Sequence, residues 1–88
     1  MHSVWLDETP LVLFNLDGQV YALRDQCTHE DYELSAGHFD PGDAAVECTL
    51  HGARFDVRDG RALCAPAYTA AQRFDARIED GGVYVRHP

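Results

Sequence analysis

Two short arms, Cys27-Thr28-His29 and Cys48-Thr49-Leu50-His51, constrain this chain more than anything else in it. Each arm offers one thiolate and one imidazole, and four such side chains meeting at one point make a metal site. A structural zinc site takes any two Cys with two His, usually spaced C-x2-4-C and H-x3-5-H. Here each arm mixes the donor types instead. That arrangement suits a cluster of two unlike irons, with both thiolates on one iron and both imidazoles on the other. Zinc stays open as the alternative, in a metal-stabilised interaction module. Colour separates the two, since a zinc protein is colourless and an iron–sulfur protein brown.

A chain of 88 residues makes one domain, here residues 1–88. A domain this short buries only about 60–65% of its unfolded surface, so its core is marginal and a cross-link would help it. A cluster that the unfolded chain cannot hold couples ligation to folding. The apo form is therefore expected to be unstable. Fifteen acidic residues against seven basic ones, all of them Arg, leave a net charge of −8. This balance argues against nucleic acid and against anionic membrane surfaces, and points to a basic protein partner. The three cysteines leave no disulfide framework once two are assigned to metal, which favours a reducing, cytoplasmic location. No apolar run reaches the roughly eighteen residues of a membrane span, and Met1-His2-Ser3-Val4-Trp5 lacks a charged start followed by an apolar signal core.

The periodicity is that of strands. Leu11–Leu16 is an apolar run turned by Asp17-Gly18 into Gln19–Arg24, a hairpin whose second strand delivers the chain to Cys27. Ala44-Ala45-Val46-Glu47 repeats the device, running into Cys48. Arg54–Val57 and Arg61–Leu63 flank Asp59-Gly60, and Phe74–Ile78 alternates before Gly81-Gly82 and Val83–Val85. No segment carries a helical stripe. The expected fold is all-β, a small antiparallel sandwich or barrel with two metal-binding loops at one end.

The pattern C-x-H then C-x-x-H, with Cys27-Thr28-His29-Glu30-Asp31, Glu47-Cys48-Thr49-Leu50-His51-Gly52, Phe55-Asp56 and the Gly60 turn, resembles the Rieske ferredoxins that feed electrons to bacterial ring-hydroxylating oxygenases. The resemblance runs from about Leu11 to Arg86. It implies one [2Fe–2S] cluster ligated by Cys27, His29, Cys48 and His51. It also implies a soluble, monomeric one-electron carrier between a flavin-dependent NAD(P)H reductase and a terminal oxygenase, with no catalytic residue of its own. Small subunits of nitrite reductases and ferredoxins associated with iron–sulfur assembly share the motif and form the alternative reading. Members usually begin with a further strand and turn before the equivalent of Val4. Ser3–Leu6 reads as what remains of that early sheet, with Asp7-Glu8-Thr9-Pro10 as its turn and an unpaired strand edge as the consequence. The interval between His29 and Cys48 is longer than usual and is expected to form a longer hairpin around Pro41-Gly42-Asp43.

The same resemblance implies the electronics. Charges on two ferric ions, two sulfides and two thiolates cancel, and neutral imidazoles add nothing, so the oxidised centre is neutral. It accepts an electron more readily than a four-Cys centre. High-potential relatives in the bc complexes carry an extra Cys in each arm, joined in a disulfide, where this chain has Tyr32 and Leu50. They also carry Ser and Tyr hydroxyls where it has Ala53 and Phe55. Without those hydroxyls the reduced state loses hydrogen bonds to sulfur, and a low potential is expected. The imidazoles of His29 and His51 mark the side where an electron would leave.

The remaining conspicuous residues read more plainly. Cys64, in Leu63-Cys64-Ala65-Pro66-Ala67, matches a proline-containing loop over the cluster but reads as a small core residue. His2, His38 and His87 read as surface side chains. Trp5, Phe14, Tyr21, Phe39, Phe74 and Tyr84 read as core or edge packing. Asp25, Glu30, Asp31, Glu33, Asp40, Asp43 and Glu47 lie near the arms in sequence and are candidates for docking as well as for ordinary solvation.

Overall fold

Short antiparallel hairpins and their turns account for most of the architecture. In the computed structural model, which describes residues 1–28, 33–49, 52–65 and 69–86, β1 (His2–Leu6) turns at Asp7-Glu8 into β2 (Thr9–Leu16), with Leu6 opposite Thr9. Thr9 and Pro10 thus belong to the strand, and the expected four-residue turn is two residues long. Asp17-Gly18 then leads into β3 (Gln19–Arg24). Both turn residues have positive φ, 53° and 83°, the backbone that twists a two-residue turn to match its strands and that glycine adopts without strain.

A single 3-10 turn over Leu34–Ala36 precedes β4 (His38–Asp40) and β5 (Ala45–Glu47), the hairpin expected around Pro41-Gly42-Asp43. The strands β6 (Arg54–Asp56) and β7 (Ala62–Cys64) follow. The last hairpin pairs β8 (Arg73–Glu79) with β9 (Gly82–Arg86) through Asp80-Gly81, so Gly82 lies in the strand and not in the turn. Pairing is antiparallel throughout. The strands form one sheet in the order β1-β2-β3-β8-β9 and another in the order β4-β5-β6-β7. β1 is paired with β2 along its whole length and stands at the edge of its sheet among the described strands.

Strand β2 explains why the first sheet curls. Leu11, Val12, Leu13 and Phe14 are all buried, and alternation along a strand sends them to opposite faces. Val12 and Phe14 join Leu23, Leu34, Val46, Phe55 and Val57 in the core between the sheets. Leu11 and Leu13 join Ala22 and Phe74 in a second core, on which Val4, Leu6, Val20, Ala76 and Val85 close. A strand buried on both faces reads as a continuous apolar run. Phe14 of the first sheet meets Phe39 of the second with ring centroids 5.1 Å apart and planes tilted by 58°, a geometry that aromatic pairs favour. Trp5 and Tyr84 lie on the two edge strands and are exposed, 70% and 53%; of the aromatics expected to pack, these two do so least. Among the described residues no helix is long and apolar enough to cross a membrane.

Asp56 is buried at the β6–β7 turn, where its carboxylate accepts from the Arg58 backbone N–H at 2.8 Å, from Nε at 3.0 Å and from Nη2 at 2.7 Å. The Arg58 hydrogen bond holds its pKa below the ordinary 3.8, against the opposing effect of burial. A carboxylate depressed in the folded state contributes stability above its unfolded pKa and loses it as pH falls through the folded value. Asp56→Asn is therefore expected to destabilise the protein at neutral pH, with the gap to wild type narrowing as pH drops below 3.8. Urea unfolding across that range measures it, and a gap independent of pH would contradict this account of the turn.

Candidate metal centre

Each predicted cysteine sits just past a strand end, and the two strands come from different sheets. Cys27 follows β3 and Cys48 follows β5. Their thiols are buried, 1% and 2% exposed, and both belong to the core between the sheets. The structure thus places in one buried cluster two thiols that the sequence sets about twenty residues apart. Two shielded sulfurs on one core are a donor set suited to a soft iron–sulfur centre. His29 and His51, together with Glu30, Asp31, Tyr32 and Leu50, lie outside the described residues.

Both arms are braced by backbone and side-chain bonds. Asp25, at the head of the first arm, accepts from Ser35 N–H at 2.7 Å and from Ser35 Oγ at 2.6 Å. Its own N–H donates to Pro10 O at 2.9 Å. This buckle spans the whole first arm and ties its return to β2. In the second arm Cys48 N–H donates to Ala53 O at 2.7 Å, and Gly52 N–H donates to Cys48 O at 3.1 Å, closing a tight loop. Thr28 Oγ1 donates to Thr69 O at 2.6 Å, binding the first arm to the segment after β7. Cys64 Sγ lies 3.6 Å from Gly52 O, which does the same for the second arm. Three loops are thereby held at one end of the sandwich.

The arms also touch through Gly37. A Cβ placed there would run into the carbonyl oxygen of Glu47, the residue before Cys48. Only glycine lets the return of the first arm lie so close to the entry of the second. Sequence reading missed this contact and the Asp25–Ser35 buckle, because their partners are distant in the chain and no motif marks them.

Several expectations change here. Cys64 is exposed and not a core residue; it stands at the end of β7, where the sheet meets solvent. Asp25 is 6% exposed and committed to Ser35, so it is no docking carboxylate. Asp40 and Asp43 face Arg54 Nη2 at 3.4 and 3.5 Å. Of the proposed docking acids within the described residues, Glu33 is exposed and Glu47 half-buried. His2 and His38 are exposed as expected. Ala53 and Phe55 are fully buried in the core that holds both cysteines.

Removing the buckle tests its role. Asp25→Ala leaves the half-buried Ser35 donors without their partner and is expected to cost about 1–2 kcal/mol, while Gly37→Ala is expected to cost about 1–3 kcal/mol through overpacking. Urea unfolding of the purified variants would show these losses. Wild-type stability in both would mean that the arms are held by other contacts.

Comparison with known proteins follows the same lines. The 3-phenylpropionate/cinnamic acid dioxygenase ferredoxin subunit of Shigella flexneri serotype 5b is 37% identical over 84 residues, covering 94% of this chain and 78% of that protein. The ferredoxin of carbazole 1,9a-dioxygenase from Nocardioides aromaticivorans IC177 superimposes with a TM-score of 0.92 at 26% identity, covering 96% of this chain and 81% of that one. A complex of reduced oxygenase and oxidised ferredoxin in carbazole 1,9a-dioxygenase matches with a TM-score of 0.86 at 34% identity, over 96% of this chain and 77% of that one. These relatives are the electron-transfer components of dioxygenase systems, not the catalytic ones. The model of the Rieske [2Fe-2S] domain matches residues 1–75. With two buried cysteines just past the ends of strands from different sheets and a [2Fe–2S] cluster, not zinc, as its implied cofactor, the chain belongs to the Rieske [2Fe–2S] domain family.

Proposed function

We propose that Cys27, His29, Cys48 and His51 ligate the cluster, and that the protein carries single electrons from a flavin-dependent NAD(P)H reductase to a terminal ring-hydroxylating oxygenase. The observation that supports this most is the burial of Cys27 and Cys48 in one core at the ends of strands from facing sheets. His29 and His51, two and three residues further along the same arms, complete a two-thiolate, two-imidazole set. When bound, the cluster supplies a one-electron redox couple. The chain's part is to hold the arms rigid and to keep water from the sulfurs. It does so through Asp25, Gly37, the closed loop at Cys48–Ala53 and the apolar walls of Phe55 and Leu34.

Dioxygenase relatives and a relative's complex with its oxygenase favour an oxygenase as acceptor over the nitrite-reductase and cluster-assembly alternatives. Docking at the loop end, where the second imidazole nitrogens would point outward, would shorten the electron path. Glu33, with Glu30 and Asp31 of the same arm, would steer a basic partner over a Debye length of roughly 8 Å. We take the carrier to be a single domain over residues 1–88, monomeric and cytoplasmic, meeting its partners transiently. The acidic balance and the absence of a disulfide framework support that reading.

Purified protein is expected to contain iron and acid-labile sulfide in equal amounts, two of each per chain. Cys27→Ser or His51→Ala should lose both, along with most of the folded population. Metal analysis that finds one zinc and no sulfide would overturn the ligand assignment.

The potential is expected toward the lower end of the Rieske span of about −150 to +300 mV, because Ala53 and Phe55 offer no hydroxyl. Ala53→Ser with Phe55→Tyr should raise it. Protein-film voltammetry checks both points, and a wild-type value in the positive half of the span would count against this reading.

A further inference from the structure

Seven arginines are the only Lys or Arg side chains in a protein of net charge −8, and four of them, Arg58, Arg73, Arg77 and Arg86, line one cleft. The cleft arises because pairing between β3 and β8 stops at Ala22↔Phe74. Beyond that point Gln19, Val20 and Tyr21 stay with β2, while Asp75 through Glu79 go with β9. The diverging strands leave a cavity of about 650 Å³, within the roughly 300–1,000 Å³ of sites that take small organic molecules. Val20, Phe74 and Val85 of the second core form its apolar floor.

The rim carries surplus positive charge. Among the described lining residues Asp75 alone is a carboxylate, and two guanidiniums share it, Arg73 Nη1 at 3.2 Å and Arg86 Nε at 3.6 Å. Each guanidinium has five N–H donors in a planar fork, and these two side chains remain 49% and 81% exposed. Arg77 lies over the Tyr84 ring, 5.9 Å from its centroid, and its Nη2 pairs with Glu79 at 3.0 Å, so that four arginines at the cleft meet three carboxylates, Asp56, Asp75 and Glu79. Arg58 is held at the cleft by the buried Asp56. A bare inorganic anion would leave the apolar floor wet. A neutral apolar molecule would leave the forks unanswered.

We propose that this cleft binds an organic carboxylate with an apolar body, its carboxylate on Arg73 and Arg86 and its body over Val20, Phe74 and Val85. The guanidinium fork matches a carboxylate in bidentate fashion, which a point charge does not. The site is separate from the metal centre. Val20 lies toward the end of β3 opposite Cys27, and among the described residues none of either cysteine arm lines the cavity.

The test uses the cluster-loaded protein and 2-naphthoate as probe, with 2-naphthamide as the uncharged match, acetate as the anion without a body and hexaglutamate as an acidic peptide. Titration followed by ¹H–¹⁵N correlation spectra is expected to move the amides of Val20, Tyr21, Ala76 and Arg86 with 2-naphthoate. Binding should weaken about tenfold or more for 2-naphthamide, for acetate and for the Arg73→Gln/Arg86→Gln double variant. Both substituted side chains are surface groups, and unchanged visible absorption would confirm that the variant is folded. Arg24→Gln, outside the cleft, should bind as wild type does. Overturning results would be no shift at millimolar probe, equal binding of the amide, undiminished binding by the double variant, or binding of hexaglutamate alone.

Discussion

A buried carboxylate holds the functional end of this molecule together. Asp25 is almost inaccessible to solvent and accepts two short hydrogen bonds from Ser35, one from the backbone and one from the hydroxyl. A loop proposed to present metal ligands has no sheet ladder to stabilise it, so its ends have to be pinned by something else. Here one side chain spans it. Because Asp25 is itself bonded to Pro10 O, the pin transmits the position of β2 to the first arm. Gly37 then passes the position of that arm to the second by lying against Glu47. The ends of both arms are therefore fixed largely by residues other than the cysteines, with the backbone bonds of Cys48 itself closing the second loop.

The same economy governs the core. Two sheets of short strands enclose too little volume for a large apolar core, and the first sheet answers by curling until β2 is buried on both faces. The cysteines occupy core positions, so the interior that stabilises the fold also shields the sulfurs. Coupling of this kind makes ligation and folding one equilibrium. Phe14 and Phe39 bridge the two layers directly.

Charge is distributed unevenly over the surface. Carboxylates dominate the chain, yet four arginines gather where β3 and β8 part. Each of the other guanidiniums near a strand turn serves a local carboxylate, as Arg54 does for Asp40 and Asp43. The β3–β8 cleft differs because its carboxylates are outnumbered. The cationic side chains thus gather away from the cysteine arms, in the cleft.

Much of this was legible in the residues alone. Alternating apolar positions and Asp-Gly turns specify strands and hairpins locally, and the two Cys-His arms carry the resemblance to the family that the chain belongs to. The hairpins Leu11–Arg24 and Phe74–Val85, and the strand entry to Cys48, follow from such short-range rules. What lay beyond the sequence depends on chain segments meeting across long separations. Asp25 looked like a surface acid until Ser35 came to it, Cys64 looked like a core residue until β7 proved to end in solvent, and nothing near Gly37 announced Glu47 as its neighbour. Local propensity acts over a few residues, whereas burial and close approach are set by which strands pair and where pairing stops. Those two things only the tertiary structure decided.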